Sequence, residues 1–213
     1  MQAILEKIKK LRYLFYIFLS LIISLNILNA SGGYDNGTSI GKGNLGVDLT
    51  WNPFNYWPKG QSYIVLSYGI TENLNIHGYY SSPAKGTDNY YSGFFYQFIR
   101  NKFLDLSTAI GVRKYISSPR THLFAPQLLY SIHTAYNFTI GGSFVTIRDV
   151  NKNFNIEGST IDISLILPML SKNKVSFGIY SIDFVLGVFK PVLWKPNNGL
   201  WHPTYSFDFK INL

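Results

Sequence analysis

Ser131 and His133 stand two residues apart, and a serine beside a histidine is the smallest pair from which an activated nucleophile is built. On a β-strand that spacing puts both side chains on one face, together with Gln127. No acidic residue adjoins them in sequence to orient the imidazole, and the polar face of a strand collects such residues without any catalytic task. No catalytic residue is therefore assigned. The other histidines, His77, His122 and His202, show no ligand spacing, and the chain has no Cys, so thiolate sites and disulfides are excluded and neither a metal nor a cofactor is expected. The charges that fall on the polar face of the alternating segments are Asp48, Asp105, Arg113, Asp162, Asp183, Asp208 and Lys210. They have two readings: a salt-bridged interior that rigidifies a narrow fold, which is preferred, or the lining of a small pore that sets ion selectivity.

The elements that must carry these residues are strands. After residue 30 no segment sustains a 3.6-residue apolar period, whereas alternating segments of roughly ten residues recur. They run over 44–51, 62–70, 74–81, 90–99, 104–116, 126–136, 138–147, 160–170, 175–189 and 204–213. In the first, Leu45, Val47, Leu49 and Trp51 oppose Gly46, Asp48 and Thr50; in the third, Asn75, His77 and Tyr79 share the polar side. In the ninth the apolar face changes side near Ser181, as a bulge would cause. The last nine residues alternate without a miss: Tyr205, Phe207, Phe209, Ile211 and Leu213 on one face, Ser206, Asp208, Lys210 and Asn212 on the other.

The joints alternate short and long. Thr71–Asn73, Arg100–Lys102, the surroundings of Asn137 and Ser171–Lys174 read as tight turns. Stretches 52–60, 82–89, 117–125, 148–159 and 190–203 read as longer loops and hold seven of the nine prolines. This is the pattern of an antiparallel up-and-down transmembrane β-barrel of about ten strands, with eight as the alternative.

The first thirty residues differ. Lys7, Lys9, Lys10 and Arg12 precede an uncharged run from Leu14 to Leu28, followed by Asn29-Ala30-Ser31-Gly32-Gly33. A basic region, an apolar region too short for a membrane span and small residues at the end describe a helical signal peptide cut after Ala30. The organisation expected is thus a signal peptide over 1–30, a short segment over 31–43 and a barrel over 44–213. Removing residues 1–30 leaves 15 basic against 10 acidic residues with no basic run, so no nucleic-acid partner is expected.

Alternation alone does not say which face meets water, since a soluble ligand barrel alternates too. Three features favour lipid outside. The segments have the length of tilted membrane strands. Trp and Tyr gather at their ends, with Trp51, Tyr56, Trp57, Tyr80, Tyr90, Tyr136, Trp194, Trp201 and Tyr205 as the girdle at the two interfaces. The opposite face carries small residues with His77, His133 and the charges named above, which suit a narrow lumen.

The stretch Tyr68-Gly69-Ile70-Thr71-Glu72-Asn73-Leu74 resembles a turn common in bacterial outer-membrane β-barrel proteins, and the architecture of residues 40–213 resembles the small OmpA/OmpX/OmpW-like barrels of that superfamily, without singling out one family among them. Its terminal strand, Tyr205, Phe207, Phe209, Ile211 and Leu213, resembles their C-terminal assembly signal, although that signal usually ends in Phe. The resemblance implies an outer-membrane location, insertion by the barrel-assembly machinery, and lipid partners including lipopolysaccharide. A monomer with a structural or binding role is expected, with a small pore as the alternative. Lipid A deacylases of this superfamily place His and Ser two apart; here the order is reversed, so a lipid-modifying enzyme ranks third. Loop cations Lys59, Lys85, Arg120, Arg148, Lys152, Lys190 and Lys195 outnumber Asp88, Asp149 and Glu157, which fits either ordinary solvated loops or contact with anionic lipid.

Overall fold

A computed structural model describes residues 36–51, 61–83, 87–170, 178–193 and 201–213. Ten strands follow in order: β1 (Asn44–Trp51), β2 (Gln61–Gly69), β3 (Leu74–Pro83), β4 (Asn89–Arg100), β5 (Leu104–Tyr115), β6 (Ser118–His133), β7 (Thr139–Asp149), β8 (Asn155–Leu170), β9 (Ile179–Pro191) and β10 (His202–Asn212). Each pairs antiparallel with its neighbours in sequence, and β1 pairs with β10 from Asn44↔Asn212 to Trp51↔Tyr205, so the sheet is a closed barrel. The alternative of eight strands is excluded among the described residues. The expected signal peptide lies outside them.

Side-chain chemistry closes tight turns among the described residues; the one expected at Ser171–Lys174 lies outside them. The Thr71 hydroxyl accepts the N–H groups of Asn73 and Leu74, and the Asn101 side chain accepts those of Phe103 and Leu104. Asn137 takes a left-handed conformation (φ 59°) between β6 and β7. We call this the turn end of the barrel and the opposite end the loop end.

Two long loops of the sequence reading need correction. Stretch 117–125 is mostly strand, because β6 begins at Ser118 and pairs with β5 and β7 there; likewise β8 begins at Asn155 and leaves only a single 3-10 turn, Val150–Lys152, after β7. The prolines did not break these strands because Pro119 and Pro126 fall at register shifts, where a missing N–H costs no ladder bond. β6 also ends at His133 rather than at 136, leaving Tyr136 in the turn, 84% exposed. The change of face near Ser181 is a register shift: Lys210 pairs with Ser181 and Ile211 with Ile179.

The alternation resolves into an apolar outside and a polar inside. Ile64, Leu66, Phe94, Ile110 and Ile163 are exposed, whereas Asn75, Gln97, Asp105, Ser107, Arg113, Ser131, Ser143 and Asp162 are buried. Strand β4 shows it most regularly, with Tyr91, Gly93, Phe95 and Gln97 inward and Tyr90, Ser92, Phe94 and Tyr96 outward.

Candidate functional site: the barrel lumen

The lumen divides into two halves. Toward the loop end it is filled. Tyr91, Phe124, Val145 and Ile147 pack together with Tyr79 against them; Tyr79 stacks on Tyr91 with centroids 5.1 Å apart, and Tyr63 meets Tyr79 edge-on. Gly93 and Gly111 leave the space that the Tyr91 phenol fills. Above this layer the fully buried Arg113 lies over the rings of Phe124 and Tyr115 at 4.9 and 5.2 Å and reaches His122 Nδ1 at 2.8 Å. A guanidinium only donates, so Nδ1 of His122 accepts and the proton sits on Nε2. That nitrogen faces Glu157 Oε2 at 2.6 Å. Glu157 reaches inward because β8 bulges there: Ile147 pairs with Gly158 but Arg148 with Ile156.

Toward the turn end the lumen holds a cavity of about 810 Å3. Strand register sets three carboxylates side by side in its wall, since Asp48 pairs with Asp208 and Asp208 with Asp183. The Ser206 hydroxyl donates to Asp208, and Lys210 lies one inward position nearer the turn end. His77, Ser67, Val65, Phe95, Ile166 and Pro168 line other parts of the wall.

Opposite the carboxylates runs part of the short segment that precedes β1. Asn36 to Ile40 enters the lumen and lies extended along β3–β6, alternating as a strand would: Gly37 and Ser39 are buried against the wall, whereas Asn36, Thr38 and Ile40 face the cavity. The segment returns to β1 through Gly41 and Gly43, both with left-handed backbone, and the Gly43 N–H donates to the Gly69 carbonyl. Gly69 must lack a side chain because Gly41 passes over it in contact.

The site residues expected from the sequence therefore separate. Asp48, His77, His133, Asp183, Asp208 and Lys210 line the cavity. Arg113 belongs to the filled half. Asp162 accepts the Ser143 hydroxyl in a buried pair between β7 and β8. Asp105 is buried and receives His133 Nε2 at 2.9 Å and the Thr38 hydroxyl at 2.8 Å. His133 and Ser131 serve different partners: His133 Nδ1 meets the Thr139 hydroxyl at 3.2 Å, whereas Ser131 Oγ accepts the Gly37 N–H. Asp105 thus supplies the acid partner that was not visible next to His133 in sequence. Among the described residues no group of three or more His, Cys, Asp or Glu is arranged to hold a metal.

Of the residues expected to form a girdle, Tyr80 and Tyr90 are exposed on the outer face, Tyr136 is exposed in the turn after β6, Trp201 stands under the Lys190 ammonium at 5.7 Å, and Tyr205 packs beside Phe184. Tyr56, Trp57 and Trp194 lie outside the described residues, as does the side chain of Trp51. Of the terminal strand, Tyr205, Phe207, Phe209 and Ile211 pair with β1 and β9, and Leu213 follows β10, largely exposed.

No protein-family model matches the chain, and no curated protein matches it.

Proposed function

We propose that this chain is an outer-membrane β-barrel protein of the bacterial cell envelope, with a structural or binding role and a lumen closed by side chains. The observation that carries this reading is the distribution of polarity. Large apolar side chains such as Ile64, Leu66, Phe94 and Ile110 are each about half exposed on the outer face, while Asp105, Arg113 and Asp162 are buried inside. Water would meet a continuous apolar belt, far beyond the patches that soluble monomers expose. A bilayer reverses the cost, and a closed sheet presents no open strand edge to it.

The signal peptide over 1–30, export to the outer membrane and reading of the terminal strand by the barrel-assembly machinery complete the proposal. Lys114, Arg148 and Lys190 face outward near the loop ends of β5, β7 and β9, where anionic headgroups such as those of lipopolysaccharide would lie. A monomer suffices for closure, and no enzymatic step is assigned.

A second reading, a small pore, is favoured by the cavity at the turn end. The packed Tyr91–Phe124–Arg113 layer argues against it. Purified protein reconstituted in planar bilayers tests the choice: the structural reading expects no stable conductance, and a steady single-channel current establishes the pore. Migration in detergent gels before and after boiling tests the membrane barrel itself. A shift on boiling is expected, and its absence counts against the proposal.

A further inference from the structure

Five buried polar side chains on four neighbouring strands converge on a piece of extended backbone. Ser131 on β6 accepts the Gly37 N–H at 3.0 Å, and Ser107 on β5 donates to the Gly37 carbonyl at 2.5 Å. Gln97 on β4 accepts the Ser39 N–H at 2.8 Å. Asn75 on β3 and Asp105 on β5 accept the hydroxyls of Ser39 and Thr38, each at 2.8 Å. All five wall side chains are at least nine-tenths buried. Main-chain donors and acceptors are thus read alongside two hydroxyls, which is how a groove recognises an extended peptide.

We propose that this wall is a recognition groove for an extended peptide, filled here in cis by Gly37–Ile40, and that its occupant is exchangeable. The ligand class follows from the contacts. Glycine is required at the first position, because a Cβ on Gly37 would lie 2.6–2.8 Å from the backbone of Tyr130 and the Asp105 carbonyl. Hydroxyl residues follow at the next two positions, and an aliphatic residue at the fourth, where Ile40 lies over Gly46. Exchange is open because Asn36, Thr38 and Ile40 face the cavity, which reaches the turn residues Thr134, Asn137 and Phe138; away from the β3–β6 wall the segment meets β1 only at its end, through Ile40 over Gly46 and the Asn44 amide on the Ile40 carbonyl. Leaving by that route breaks no bond of the barrel ladder.

The test uses the full chain with a protease site inserted at the exposed Lys42, cut after folding in detergent. A fluorescent peptide spanning residues 34–42 is then titrated in, with folding checked by heat-dependent gel migration. Saturable binding is expected, with displacement of the cut segment. A peptide carrying Gly37→Val is expected to bind roughly tenfold or more weaker, the size of effect that overpacking a tight site produces. Absence of uptake overturns the proposal, and so does equal binding of both peptides. If cutting unfolds the barrel, the uncut chain carries the same test. It has no native cysteine, so Ser39→Cys introduces a single thiol on the segment, buried against the wall. Excess native-sequence peptide is expected to accelerate modification of that thiol and the Gly37→Val peptide is not; an unchanged rate overturns the proposal. Both arms run in detergent, so they fail or succeed independently of the membrane assignment.

Discussion

The two halves of the lumen are closed by different means. The loop-end half is filled by the barrel's own side chains: rings stack on rings, glycines admit the Tyr91 phenol, and the Arg113 guanidinium donates to His122. The turn-end half borrows part of its filling. Its buried amide, carboxylate and hydroxyl groups on β3–β6 bond to Gly37–Ser39, while the β1/β10/β9 wall faces open space with three carboxylates in a row. One half behaves as a core and the other as a site. Rigidity belongs to the first, and any exchange of contents belongs to the second.

Substitutions should separate the halves. The largest effect is expected at Tyr91→Ala, which removes a ring touching Tyr79, His77 and Phe124. A loss of about 3–5 kcal/mol in urea unfolding is expected, as for other buried aromatics. A loss below about 1 kcal/mol would mean that this half is not a packed core. Gly37→Val should cost about 1–3 kcal/mol by overpacking, but locally. Hydrogen exchange should quicken at Gly37 and Ser39 while the β5–β6 ladder keeps its protection; global loss of protection would mean that the segment is part of the core. Asp48→Asn removes one of two like charges paired directly across the closing strands, so a gain of about 0.2–1 kcal/mol at neutral pH is expected from denaturation midpoints. A loss would show that the carboxylate row is stabilising as it stands.

The smallest effect lies outside both halves. The Tyr80 phenol and the Ser82 hydroxyl donate to Asp88 at 2.6 and 2.9 Å and hold its carboxyl below the usual carboxylate range. A lowered pKa favours the folded state above the ordinary carboxylate pKa, and this is lost as the pH falls through the lowered value. Asp88→Asn should therefore leave the barrel intact and remove only a small part of the acid-side decline in melting temperature.

How much of this was legible in sequence follows the same division. Within the belt the alternation is strict, so the faces of β1, β2 and β5 and the inward positions of Asp105, Arg113 and Asp162 could be read from period two alone. Beyond the belt the code inverts: Phe124 and Ile147 point inward and Lys114 outward, as in a protein surrounded by water. The upper parts of β6 and β8 therefore read as loops, and their register shifts at Pro126 and Glu157 hid them further. The lumenal segment was invisible for another reason. Asn36-Gly37-Thr38-Ser39 has no apolar period, and its fit depends on side chains 36 to 94 residues away. Only its glycine and hydroxyl composition hinted at close backbone approach.

The central claim is that the outer face meets lipid and the inner face does not. The chain has no cysteine, so single spin labels can be placed along β4 from Tyr90 to Gln97 in a protein refolded into phospholipid vesicles. Labels at Tyr90, Ser92, Phe94 and Tyr96 should be relaxed by oxygen, which concentrates in the bilayer, and shielded from a water-soluble nickel chelate, whereas labels at Phe95 and Gln97 should be largely inaccessible to oxygen. The same period of two with the chelate reaching the even positions would place that face in water and contradict the account.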